Sequence, residues 1–166
     1  MSEDERNIVL TGFMATGKST VGRLLAEQLD RVFFDMDTAI EHRTGLTIPR
    51  IFADYSEPFF RAIERGLTHE IALVKNLVVA TGGGVIIDDE NRACLLKHTF
   101  VVCLMADPDA IETRLKATDA RPLAGRWREL LEERRAIYET LPNIIDTTGK
   151  TPATVMQEIN DLWQNA

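Results

Sequence analysis

Nine consecutive residues, Gly12-Phe13-Met14-Ala15-Thr16-Gly17-Lys18-Ser19-Thr20, restrict this chain more than any other stretch. They fit the pattern G-x-x-x-x-G-K-[ST], a loop whose backbone N–H groups cradle phosphate. Gly12 and Gly17 let the backbone turn tightly and approach an anion with no Cβ in the way. A helix starting at the loop's end adds unpaired N–H groups and a positive dipole end. Ala15, Thr16, Gly17, Lys18, Ser19 and Thr20 are therefore candidate phosphate contacts. Lys18 would reach the β- and γ-phosphates, and the Ser19 hydroxyl is placed for a phosphate-bound Mg2+. The flanks agree. Asn7 to Thr11 reads as a buried parallel strand, and Val21, Leu24, Leu25 and Leu29 recur at helical spacing.

The same alternation continues to the end of the chain. Further strands are predicted at Arg31 to Phe34, Leu77 to Ala80, Phe100 to Leu104 and Asn143 to Asp146. Between them, helices are predicted at Thr38 to Thr44, Ile48 to Ala53, Phe59 to Lys75, Asp88 to Lys97, Pro108 to Lys116 and Arg126 to Thr140. A last helix opens at Pro152. Thr47 and Ser56 are expected caps, with Pro49 and Pro58 in the first turns that follow. The expected fold is α/β, three layers around a five-stranded parallel sheet, and 166 residues suffice for one such domain. Sites in such sheets lie beyond the carboxyl ends of the strands. The phosphate loop follows the first strand, Asp35 and Asp37 the second, and Gly82-Gly83-Gly84 the third.

Charge narrows the partners. A net charge of −7 argues against nucleic acid, whose phosphates select basic surfaces, but leaves room for a small anion held by a few local cations. No apolar run approaches the ~20 residues that cross a bilayer, so no membrane partner is expected. The polar, acidic start of the chain does not read as a signal peptide. Cys94 and Cys103 lie among apolar residues and read as free thiols, which fits a cytoplasmic location. A monomer is expected, because no long apolar stripe is left over once the core is assigned.

Around the phosphate loop a constellation forms. Asp35 and Asp37 are two positions apart at a strand end, where alternation would turn both carboxylates the same way. Asp35 could hold Mg2+ through water, and Asp37 could orient or deprotonate an attacking hydroxyl. Arg61 and Glu64 are spaced to pair on one helix, which would preform a fork for an anionic group. Three successive glycines after a strand imply that something, such as a ring or sugar-like body, comes close to that backbone. Arg121 lies in a polar stretch that could fold over the phosphates as a flap and neutralise a transferring phosphoryl group.

Taken together, these residues resemble the shikimate kinase family. The resemblance runs from Ile8 to about Asn160. It is carried by the phosphate loop with Val21 to Ala26, Phe34-x-Asp35-x-Asp37, Ile51-Phe52, and Phe60-Arg61-x-x-Glu64. Ala80 to Gly84, Asn91-Arg92, Arg121-Pro122-Leu123, and Arg134 with Tyr138 complete it. The resemblance implies ATP- and Mg2+-dependent phosphorylation of the 3-hydroxyl of shikimate, on a fold like that of nucleoside monophosphate kinases. It implies a substrate-binding region at about 36–65 and a lid at about 117–126. Asp37 would bind the shikimate hydroxyls and assist attack, with Lys18 and Arg121 as the other catalytic groups. Arg61 and Arg134 would hold the carboxylate while Gly82, Gly83 and Gly84 line the ring. Arg114 would lie against the adenine, Lys150 would help enclose it, and Ser19 would ligate Mg2+ with Asp35 as its water-mediated neighbour.

The chain departs from the family pattern in its lid, which looks short, with Arg134 only 13 positions after Arg121. A shorter flap would exclude water less well. Smaller departures are Arg50 where an acid is common, Ser56 where glycine is common, and Ala136 where proline is usual. The alternative acceptor is another small hydroxy acid such as gluconate. A nucleotide-binding module without turnover is the non-enzymatic reading, opposed by intact Lys18, Ser19, Asp37 and Arg121.

Overall fold

A computed structural model describes residues 4–118 and 125–166 of the chain. Arg121 and the centre of the expected lid lie outside the described residues. In chain order the elements are β1 (Ile8–Gly12), α1 (Lys18–Gln28), β2 (Val32–Asp35), α2 (Met36–Thr44), α3 (Ile48–Asp54) and α4 (Glu57–Leu73). Then come β3 (Leu77–Ala80), a 3-10 turn (Val85–Ile87), α5 (Asp89–His98), β4 (Phe100–Met105) and α6 (Pro108–Ala117). The last are α7 (Trp127–Tyr138), β5 (Ile144–Asp146) and α8 (Pro152–Gln164).

The sheet has five strands in the order β2-β3-β1-β4-β5, every neighbouring pair parallel. Side-chain alternation along the strands divides the core in two. Ile8, Leu10, Val78, Phe100, Val102 and Leu104 face one way and pack on α1 and α8 through Val21, Leu25, Val155, Ile159 and Trp163. Val9, Val79, Val101 and Cys103 face the other way, onto a larger cluster that includes Met36, Ile40, Ile51, Phe60, Leu67, Ile71, Leu95 and Tyr138. Helices on that second face bear Asp37, Arg61 and Arg134, while α1 on the first face brings Lys18 and Ser19 to the same site. The first face is closed by a clasp: Arg6 lies 5.7 Å and Arg31 4.8 Å from the Trp163 ring, which meets Phe100 edge-on at 5.1 Å.

Local signals set the helix starts. Thr47 accepts from the Arg50 N–H and Ser56 from the Phe59 N–H, with Pro49 and Pro58 in the first turns. Asp88 caps α5 by accepting from Glu90 and Asn91. Such caps typically contribute about 1 kcal/mol each. α2 begins earlier than the spacing predicts, because the Asp35 carboxylate accepts from the Thr38 N–H and caps it. Cys94 and Cys103 are free thiols, Cys94 half-buried and Cys103 buried; burial pushes the Cys103 thiol up to about 12.

Gly12 carries the tightest constraint. Its φ is +132°, and a Cβ added there would stand 2.1 Å from the carbonyl oxygen of Leu104 on β4. Both the backbone angle and the sheet spacing would have to give. Gly12→Ala is therefore expected to cost about 4 kcal/mol or more and to lower Tm by about 10 °C. A melt within about 2 °C of the parent would show that the loop and β4 yield without resistance.

Candidate active site

The phosphate loop joins β1 to α1, as its sequence predicts. Gly17 at the start of α1 is left-handed (φ +96°) and gives the helix no side-chain cap, so the first-turn N–H groups are open to an anion. Thr16 turns inward and donates to the Phe13 carbonyl at 2.8 Å, folding the loop on itself. The Lys18 ammonium donates to the carbonyls of Gly12 (2.9 Å) and Phe13 (2.7 Å). Burial lowers its pKa to about 8, against the opposing pull of Asp37 and Asp35. A phosphate brought alongside would favour the charged form again.

Ser19, Thr20, Asp35 and Asp37 line the same cavity as Ala15 and Lys18, about 290 Å3 in volume. The Ser19 hydroxyl donates to Asp35 Oδ2 at 2.7 Å. Asp35 and Asp37 do face one site, but not through strand alternation. β2 ends at Asp35, and Asp37 stands in the first turn of α2. The helix turn, not the pleat, aims its carboxylate. Burial raises the Asp37 pKa, Asp35 adds to the rise, and Lys18 opposes it.

A second cavity of about 270 Å3 adjoins the first. Both are lined by Asp37, Met14, Gly82 and Gly83. The second adds Ile48, Phe52, Phe60, Arg61 and Arg134. Arg61 Nη1 donates to Glu64 Oε1 at 2.5 Å, and Glu64 is only 1% exposed. This is no loose surface pair. Burial raises the Glu64 pKa in spite of Arg61, so the carboxylate is held at a cost and its cation is held in place.

The triple glycine explains how so many charges fit. A Cβ on Gly82 would lie 2.9 Å from Asp37 Oδ1, one on Gly83 3.3 Å from Arg134 Nη1, and one on Gly84 2.5 Å from Arg61 Nη1. What approaches this backbone is the site's own charged side chains as well as the open cavity. The Tyr138 hydroxyl donates to the Gly83 carbonyl at 2.8 Å, and Arg92 donates to the carbonyls of Ile86 and Ile87 beyond it.

Neither Arg114 nor Lys150 lines these two cavities, but Arg114 meets the phosphate loop at Ala15. Arg114 Nη1 donates to the Ala15 carbonyl and to Thr147 Oγ1, both at 3.0 Å, and Nη2 to the Thr147 carbonyl at 3.0 Å. Lys150 sits in the following loop with its ammonium 2.9 Å from Glu158. The sequence reading singled out neither Thr147 nor Met14. Thr147 carries no local pattern, and Met14 reads as one of the loop's variable positions.

Among the described residues no cluster of three or more His, Cys, Asp or Glu side chains forms a metal cage. Ser19 and Asp35 offer instead a hydroxyl and a carboxylate side by side at the cavity mouth. That donor pair fits a Mg2+ held chiefly by phosphates and water. No described helix is long and apolar enough to cross a membrane.

Comparison with known proteins matches this arrangement. A family model described as shikimate kinase matches residues 14–164. The shikimate kinase of Thermodesulfovibrio yellowstonii is 44% identical over 160 residues, covering 93% of this chain and 92% of that one. The solved shikimate kinase from Acinetobacter baumannii, in complex with shikimate, superposes with a TM-score of 0.90 at 37% identity, covering 98% of this chain and 95% of that one. A gluconokinase from Sinorhizobium meliloti 1021 superposes at a TM-score of 0.65 with 18% identity over 97% of this chain and 95% of that one, a likeness of fold alone.

Proposed function

The chain belongs to the shikimate kinase family, and we propose that it moves the γ-phosphoryl group of ATP to the 3-hydroxyl of shikimate with the side chains gathered at its phosphate loop. One observation carries the reading. Asp37 lines both the phosphate-loop cavity and the arginine-lined cavity beside it, so one carboxylate can touch an acceptor hydroxyl while facing the phosphates.

The roles divide by position. The N–H groups at the start of α1 and the Lys18 ammonium hold the phosphates, with Ala15, Thr16, Gly17, Ser19 and Thr20 forming the cradle. Arg61, fixed by Glu64, and Arg134, beside Gly83, clamp the acceptor carboxylate. Gly82, Gly83 and Gly84 give the ring a flat bed. Asp37 then orients the 3-hydroxyl and takes its proton as the oxygen attacks the γ-phosphorus and the bond to the β-phosphate oxygen breaks. Ser19 would hold Mg2+ directly and Asp35 through water; when bound, the ion neutralises charge on the β- and γ-phosphate oxygens. Residues 36–65 form the substrate-binding region and 117–126 the lid. Arg121, outside the described residues, is assigned to the phosphates, and Arg114 and Lys150 to the adenine. The reading includes a cytoplasmic monomer whose partners are ATP and shikimate alone.

ADP release by the purified protein with Mg·ATP tests this directly. Release is expected to rise at least about tenfold on adding shikimate and to ignore gluconate. Equal release with gluconate, or release indifferent to shikimate, would overturn the acceptor assignment.

A further inference from the structure

Ala15 is an exception within the phosphate loop. It is not glycine, yet its φ is +58°, in the left-handed region. That conformation crowds the Cβ of an ordinary residue against its own backbone, so it persists only where the surroundings hold it. The Ala15 carbonyl has such a hold: Arg114 Nη1 donates to it at 3.0 Å.

Arg114 is in turn fixed by Thr147, just beyond β5. Thr147 is only 2% exposed. Its hydroxyl donates to the Met105 carbonyl at 2.9 Å, and its own N–H donates to the same oxygen at 2.8 Å. That spends the hydroxyl's proton and turns its lone pairs toward Arg114. Oγ1 and the carbonyl of Thr147 then receive Nη1 and Nη2, both at 3.0 Å. One threonine thus presents two acceptors to a planar fork, whose shared Nη1 reaches on to Ala15. A half-buried relay runs from the end of β4, through the loop that also bears Lys150, to the phosphate loop.

We propose that Thr147 is a positioning residue for nucleotide binding: through Arg114 it holds Ala15 in its left-handed turn and so preforms the phosphate loop. The proposal rests on the reading that nucleotide phosphates sit in this loop. It concerns Thr147 and Ala15, to which no role in shaping the loop is otherwise assigned.

Calorimetric titration with ADP tests it and needs no acceptor, so failure of shikimate as the substrate leaves the test intact. Thr147→Val keeps the shape and removes Oγ1. It is expected to weaken ADP binding about tenfold, with the shikimate KM within about twofold. Thr147→Ser restores the hydroxyl and is expected to bind as the parent does. Ala15→Gly added to Thr147→Val separates positioning from bracing, because glycine enters the left-handed region without the hold. ADP affinity should return to within about threefold of the parent. Unchanged affinity in Thr147→Val, or no recovery in the double variant, would overturn the proposal. If Thr147→Val does not fold, Thr147→Ala removes Oγ1 without setting a second methyl against the Met105 carbonyl. Its ADP affinity should fall and recover with Ala15→Gly in the same way, and absence of either change would again overturn it.

Discussion

Asp37→Asn is expected to lower kcat about a hundredfold or more while ADP binding stays within about threefold of the parent. The substitution preserves size and removes the carboxylate's charge together with its capacity to accept a proton. Asp37 makes none of the caps that hold α2, which belong to Asp35, so the helix should survive the change. The pH profile gives a second reading. Burial, and after it the neighbouring Asp35, holds the Asp37 carboxyl above the ordinary aspartate range. The base acts when ionised, so parent activity should be lost as pH falls through that raised value. This acid limb should lie above the position of a solvated aspartate, and it should disappear in the variant. Turnover of Asp37→Asn within threefold of the parent, measured at saturating ATP and shikimate, would remove Asp37 from the chemistry.

Arg61→Ala is the second large effect, and it falls on the acceptor rather than the nucleotide. A charge-assisted fork to a carboxylate contributes about 1.5–3 kcal/mol, so the KM for shikimate should rise about 10- to 100-fold, with the KM for ATP nearly unchanged. Truncation also strips Glu64 of its cation. Burial already raises the Glu64 carboxyl, and Arg61 is the main group opposing that rise. Without Arg61 the folded protein holds the Glu64 proton to still higher pH than the unfolded chain does. Where the folded state binds more protons, stability falls as pH rises. The variant should therefore melt closest to the parent near pH 5 and fall further behind by pH 8. A pH-independent deficit would free Glu64 from this account. An unchanged shikimate KM would remove Arg61 from the acceptor clamp.

The features legible in the sequence were those written locally. The phosphate loop, the capping Thr47 and Ser56, and the prolines after them each combine residue type with spacing, and each stands where expected. The five-stranded parallel sheet follows from the alternation of elements, but its order, β2-β3-β1-β4-β5, does not. Element ends were less legible. α4 starts at Glu57 rather than Phe59, because Ser56 caps a turn that the apolar pattern does not mark. Strand alternation gives Asp37 the wrong geometry, since a cap at Asp35 replaces strand with helix there. Long-range relations were not legible at all. That Glu64 is buried, that the glycines make room for Arg61 and Arg134, and that Thr147 grips Arg114 depend on residues tens of positions apart. Arg121 lies outside the described residues, and its proposed part in a lid rests on sequence resemblance.

The clasp of Arg6 and Arg31 on Trp163 has a practical consequence. It gathers an early and a late segment of the chain on the α1–α8 face, while both cavities open among residues beyond the strand ends. A fluorophore, an affinity handle or a surface tether attached near either segment would hold the molecule by its back. Substrates could then reach an immobilised enzyme unobstructed, and a reporter there would register unfolding of the clasp without competing for the site.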